Sequence, residues 1–187
     1  MKGQLDEMRA TRRPWVTMDV VISGDLQYDQ TGVRIGVNFT LRNVGSTPAM
    51  DTAVNLEAFP LMPDTDVSRA RERICSLPTD GSGIDIFPGG KEPPWNRETS
   101  ITKESVDEFW KQIPAMRPAI FPLIIACIVY RGPVSLDYHH TPFVFNLIRV
   151  KSNIKNRDPI LIFVDEGRVP ASNLRLVLSP WGNGQAD

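Results

Sequence analysis

Between Trp15 and Ala58 the chain alternates apolar and polar residues with a period of two. Val16, Met18, Val20 and Ile22 share one face of a first strand, opposite Thr17, Asp19 and Ser23, and Ser23-Gly24-Asp25 marks a bend or bulge. A cleaner run follows, with Val33, Ile35, Val37, Phe39 and Leu41 on one side and Arg34, Gly36, Asn38, Thr40 and Arg42 on the other. Such a strand belongs to a sheet packed on one face and wet on the opposite one. Val54, Leu56 and Ala58 then alternate with Asn55 and Glu57 as far as Pro60. Between these runs, Leu41 to Ala49 reads Leu-Arg-Asn-Val-Gly-Ser-Thr-Pro-Ala, which supplies Asn, Gly and Thr-Pro where a strand must stop. The pair is therefore an antiparallel hairpin or a corner between two core strands.

The period changes after Pro63. Val67, Ala70, Ile74 and Leu77 fall on one helical face, with Asp64 to Asp66 as N-caps, so a helix is predicted within Pro63 to Leu77. Pro78 to Arg97 is rich in Gly, Pro, Ser and Asp and reads as a surface excursion, with a short strand at Ile84 to Phe87 and a turn at Pro88-Gly89-Gly90. A second helix follows the caps Ser100 and Thr102 and presents Val106, Phe109, Trp110 and Ile113 as one stripe before Pro114. Ala119 to Tyr130 is almost continuously apolar, as a central strand covered on both faces would be. Thr141 to Val150 is its partner across a Gly132 to His140 loop, and Ile160 to Val164 and Leu174 to Leu178 are the last two strands. Gln4 to Arg13 reads as a short helical lead-in before a single domain over 14–187.

Composition agrees with a mostly β chain: 16 prolines and 13 glycines in 187 residues suit short strands and irregular connections. The net charge of −1 provides no field for a nucleic acid polymer or an anionic surface. Cys75 and Cys127 are the only cysteines and stand too far apart for a CxxC redox motif. They are either bridged or, the commoner outcome, two buried free thiols. The apolar stretch before Tyr130 is interrupted by Pro122 and falls short of the ~18 residues of a spanning helix.

Several pieces resemble a group of bacterial membrane-anchored proteins of unknown function that carry an N-x-G-x-T-P-A turn in an immunoglobulin-like β-sandwich. Asn43 to Ala49 carries that turn, Arg13-Pro14-Trp15-Val16 is similar to its opening "RPWV", and Phe87-Pro88-Gly89 to its "PG" turn. Tyr130-Arg131 and His140-Thr141-Pro142-Phe143 resemble its "Y-x-D…G-x-x-H-x-T-x-F" pattern, without the acidic residue and with shortened His-to-Thr spacing. Leu174-Arg175-Leu176 with Gly182 to Asp187 is similar to its closing strand and tail. The resemblance implies a sandwich of about seven to nine strands with two short helices. It also implies transmembrane helices outside this chain, with residues 1–13 next to the membrane. By the positive-inside tendency, Arg9, Arg12 and Arg13 would favour a cytoplasmic face, although a solvated helix end explains them equally well.

Candidate chemistry is sparse. His139 and His140 are the only histidines, adjacent, and directed to opposite sides if extended, without the local spacing of a zinc site. No G-x-S-x-G elbow announces a hydrolase. Gly83 to Lys91 fails as a phosphate loop because Asp85 stands where the first glycine belongs and Glu92 follows the lysine. Asp64, Asp66, Asp80 and Asp85 lack EF-hand order, and the sequon at Asn38 falls inside a strand. Core packing accounts for Trp110, whereas Trp95 and Trp181 are placed in loops where an indole serves packing or binding equally.

The expectation is a non-enzymatic binding domain without cofactor or metal, engaging a protein or small ligand through loops such as Pro78 to Arg97. The candidate surface comprises Arg34, Arg42, Trp95, His139, His140 and Trp181. The alternative is a sensor for an anionic ligand such as a nucleotide, with arginines for phosphate and an indole for the base. The membrane would be reached only through the anchor. A third possibility is an envelope scaffold that self-associates along an exposed sheet edge.

Overall fold

In the computed structural model the strand with the cleanest alternation, β3 (Gly32–Asn43), is the spine of the first sheet. The described residues are 13–79, 82–134, 137–150 and 161–179. The expected lead-in before Arg13, the tail after Ser179 and Trp181 lie outside them. Along one edge of β3 run β1 (Val16–Ile22) and then β2 (Leu26–Asp29). The expected bend at Ser23 to Asp25 separates them, and Ser23 N–H donates to the Gly36 carbonyl at 2.9 Å, which holds the ladder across the break. Along the other edge, β6 (Trp95–Thr102) pairs from Trp95 opposite Phe39 to Thr102 opposite Gly32.

The chain leaves β3 for a different sheet. β4 (Ala49–Pro60) pairs with β5 (Ile84–Ile86) and β8 (Pro122–Arg131), and β8 pairs with β9 (Tyr138–Arg149). With β12 (Leu174–Leu178) the order is β12-β9-β8-β4-β5, every pairing antiparallel. The Leu41 to Ala49 turn is thus a corner between sheets and not a hairpin. β7 (Ala119–Ile120) pairs with β10 (Ile162–Phe163), and β11 (Arg168–Val169) extends the first sheet beyond β2. The twelve strands among the described residues exceed the seven to nine expected. The surplus includes β7 and β11, each two residues long and too short to leave a signal of its own, whereas β10 falls within the strand expected at Ile160 to Val164.

The inward faces of the two sheets meet in one core, with Val33, Ile35, Val37 and Phe39 from β3 against Ile124, Ala126, Ile128 and Tyr130 from β8. Alternate residues of β8 turn the other way, and Leu123, Ile125, Cys127 and Val129 pack with Ile74 of helix α1 (Val67–Cys75). This double cover is what the continuous apolar run predicted. Asp66 caps α1 by accepting from Arg69 N–H at 3.0 Å, whereas Leu77 lies past the helix end and is exposed. Helix α2 (Lys103–Gln112) closes one end of the sandwich, burying Val106, Phe109 and Trp110. Thr102 is its cap, accepting from Ser105 N–H at 3.3 Å, and Ser100 belongs to β6. The excursion expected over Pro78 to Arg97 ends in a strand at Trp95. That strand hid because it is an edge whose first half, Asn96, Arg97 and Glu98, is exposed throughout, leaving only Thr99 to Thr102 to alternate.

At the corner, the buried side chain of Asn43 makes four hydrogen bonds. Its Nδ2 donates to Thr47 and Ile86 carbonyls, both at 2.8 Å, and its Oδ1 accepts from Gly45 N–H at 2.9 Å and Trp15 N–H at 3.3 Å. Every donor and acceptor of the amide is used. Its backbone joins the turn after β5, with Asn43 N–H donating to Gly90 and Gly89 N–H donating to the Asn43 carbonyl. Gly45 is required by crowding, since a Cβ there would sit 2.4 Å from Trp15 N.

Cys75 and Cys127 form a disulfide with Cα atoms 5.3 Å apart, so the free-thiol alternative does not hold. Helical spacing places Cys75 over the outward face of β8, a proximity hidden from sequence by the 52-residue separation. The bridge ties the covering helix to the central strand.

Replacing Asn43 with Ala should cost about 2–4 kcal/mol, because four backbone groups lose a partner where water does not replace it. Urea unfolding measures it, and a loss under about 0.5 kcal/mol would contradict the role assigned to the amide. Reducing the disulfide should remove about 3–4 kcal/mol by freeing a long loop in the unfolded chain. Coincident urea curves with and without reductant would show that the bridge contributes nothing.

Candidate functional site

The sequence-predicted surface does not converge. Arg34 and Arg42 stand on the outer face of the first sheet, each facing a neighbouring carboxylate: Asp29 at 2.6 Å and Asp19 at 3.6 Å. Trp95 starts β6 and faces inward, its ring 5.7 Å from Phe39, on the opposite side of the sheet from both arginines. His139 and His140 lie in β9 of the second sheet, not in a loop. His139 sits opposite Tyr130 on the sandwich side, ring centroids 5.7 Å apart, and His140 opposite Val129 on the α1 side. Two adjacent residues in extended backbone must diverge in this way. Among the described residues, no three His, Cys, Asp or Glu side chains come together as metal ligands.

A concavity among the described residues lies elsewhere, at the end closed by α2. A cavity of about 600 Å³ opens between the segment joining β4 to α1 and the exit of α2, lined chiefly by Leu61, Met62, Pro63, Val67, Ile113 and Phe121. On the other side of Met62 a second hollow of about 520 Å³ runs along α2 past Glu104, Asp107, Glu108 and Lys111. Of the polar side chains lining the first cavity, Thr65 and Asp66 serve the turn that builds it, while Ser68 is exposed. Thr65 Oγ1 accepts from Met62 N–H at 2.8 Å, and Asp66 caps α1. Such a site has hydrophobic walls and few groups left to orient a polar ligand. In the second hollow, Glu108 and Asp107 are paired with Lys111 at 3.1 Å and Lys103 at 2.7 Å. The Asp107 hydrogen bond raises the Lys103 pKa above its ordinary value.

Sequence reasoning missed this site because its walls come from three distant segments. A local signal did exist: Met62 stands between Pro60 and Pro63, and Phe121 just before Pro122, so each occupies an interruption of the periodic pattern.

Two other charged groups escaped the pattern. Arg149, at an inward position of β9, is buried and engages Glu166 through both terminal guanidinium nitrogens, one pair at 2.9 Å. Asp25 accepts from Ala171 N–H at 2.8 Å and from Arg168 Nε at 2.5 Å, tying the β1–β2 bend to the chain after β11. Compared with family models, with curated proteins and with solved structures, the chain matches none. No helix among the described residues is long and apolar enough to cross a membrane.

The Ala171 hydrogen bond, followed by that from Arg168, holds the Asp25 carboxyl below its ordinary pKa of 3.8. A depressed folded-state pKa stabilises the fold above the unfolded-state value, and that contribution is lost as pH falls through the folded one. The melting temperature should therefore decline as pH is lowered from neutral through the carboxylate range, and less steeply in Asp25→Asn. Parallel profiles for the two proteins would exclude Asp25 as a contributor.

Proposed function

We propose that this chain is a non-enzymatic binding domain of a membrane-anchored bacterial protein, and that it receives an apolar side chain of a protein partner in the concavity beside Met62. The observation that carries this reading is the apolar cavity of about 600 Å³ whose Thr65 and Asp66 side chains are already engaged locally. An apolar anchor entering a preformed pocket is how a few residues come to dominate a protein interface. Paired charges along α2 form a polar rim beside it.

The pairing pattern supports an immunoglobulin-like sandwich. β1, β3 and β6 pair as strands A, B and E do, while β5, β4, β8 and β9 stand in the places of C′, C, F and G, with β12 added beyond G. The Cys75–Cys127 disulfide supports an oxidising compartment, and thus the outer side of the inner membrane, over the cytoplasmic face suggested by Arg9, Arg12 and Arg13.

A photo-reactive residue at Met62 in the membrane-embedded full-length protein should trap a discrete adduct, whereas one at the exposed Val21 on the outer face of the first sheet should not. Equal trapping at both positions, or turnover of a substrate abolished by His140→Ala, would overturn the reading. Millimolar ATP should leave the melting temperature unchanged, and a saturable rise would favour the nucleotide sensor instead.

A further inference from the structure

Among the large apolar side chains exposed at the end of the sandwich opposite α2, three are tied to one frame. Trp15 is 38% exposed, Val44 61% and Phe87 66%. They come from three separate connections: the entry to β1, the β3–β4 corner and the turn after β5. The Asn43 amide gathers them. It accepts from Trp15 N–H, Val44 is the next residue, and it donates to the carbonyl of Ile86, the residue before Phe87. Val44 N–H also donates to the Trp15 carbonyl at 2.7 Å, and Gly90 N–H to the Phe87 carbonyl at 2.8 Å. The three side chains are thus fixed tips on a hydrogen-bonded frame.

A Trp, a Phe and a Val projecting from turns suit the bilayer interface, where an amphipathic indole sits at headgroup level and aliphatic tips reach the acyl boundary. Cations stand beside them. The Arg13 guanidinium lies 4.3 Å over the Trp15 ring, and Lys91, exposed after the Phe87 turn, pairs its backbone with that of Arg42.

We propose that Trp15, Val44 and Phe87 form a tip that inserts shallowly into a phospholipid bilayer, so that the domain rests on the membrane by this end and turns the Met62 concavity away from it. The proposal deepens the membrane-anchored reading but stands on its own geometry, and it is tested on the 187-residue chain by itself. The 187-residue protein should co-sediment with vesicles of phosphatidylethanolamine and phosphatidylglycerol. The double variant Trp15→Ser/Phe87→Ser should partition at least about tenfold less, equivalent to about 1.4 kcal/mol. Val21→Ser, which removes an exposed apolar residue from the sheet face, should bind as the parent does. Unchanged melting temperatures would show that each variant keeps the fold. No co-sedimentation, or equal partition of parent and double variant, overturns the proposal. The anchor is judged separately, by fractionating cells that express the full-length protein: loss of the tip's vesicle binding with the full-length protein still in the membrane fraction would sink the tip alone.

Discussion

One amide holds the two sheets in register at their common corner. Asn43 is fully buried, and an unpaired polar group in that position costs on the order of 1–3 kcal/mol per lost partner. Its side chain answers four backbone groups drawn from the start of β1, from the corner itself and from the end of β5. No apolar side chain could do this, and Asp could not donate to the two carbonyls. The corner therefore specifies where β3 stops, how β4 departs and where the β5 turn docks.

From that corner the second sheet is built as the more deeply covered layer. β8 touches the sandwich core with one row of side chains and α1 with the other, and the disulfide fastens α1 over it. The first sheet keeps a wet outer face, where Arg34 and Arg42 meet Asp29 and Asp19 in exposed pairs of small energetic value. Closing one end with α2 leaves the concavity beside Met62, while the other end carries the entry of the chain and its apolar tips. The two ends of the sandwich thus differ chemically, one shaped as an apolar concavity and the other carrying exposed apolar side chains on turns.

How legible this was depended on the range of the determining interactions. The alternation of β3, the apolar run of β8 and the caps Asp66 and Thr102 are local and were read directly. β6 escaped because this edge strand exposes Asn96, Arg97 and Glu98 in a row and alternates only over Thr99 to Thr102, too short a run to read. The disulfide escaped because it depends on where helix and strand meet in space. The candidate surface assembled from the sequence dispersed for the same reason. Residue chemistry identified arginines, an indole and histidines, but sheet pleating sent Trp95 away from Arg34 and Arg42, and His139 away from His140. The concavity was the least legible feature, because Met62, Ile113 and Phe121 meet only after the end of the sandwich is closed.

The Asn43 corner has an inner and an outer layer within one short turn. Asn43 and Ala49 are fully buried, and Gly45 has no room for a side chain, so the inner layer admits almost no substitution without loss of fold. Val44, between Asn43 and Gly45, points outward, and Ser46 is exposed as well. The turn can therefore exchange its outward residues while its backbone stays fixed, so that descendants of one frame could meet different surfaces without relearning how to fold.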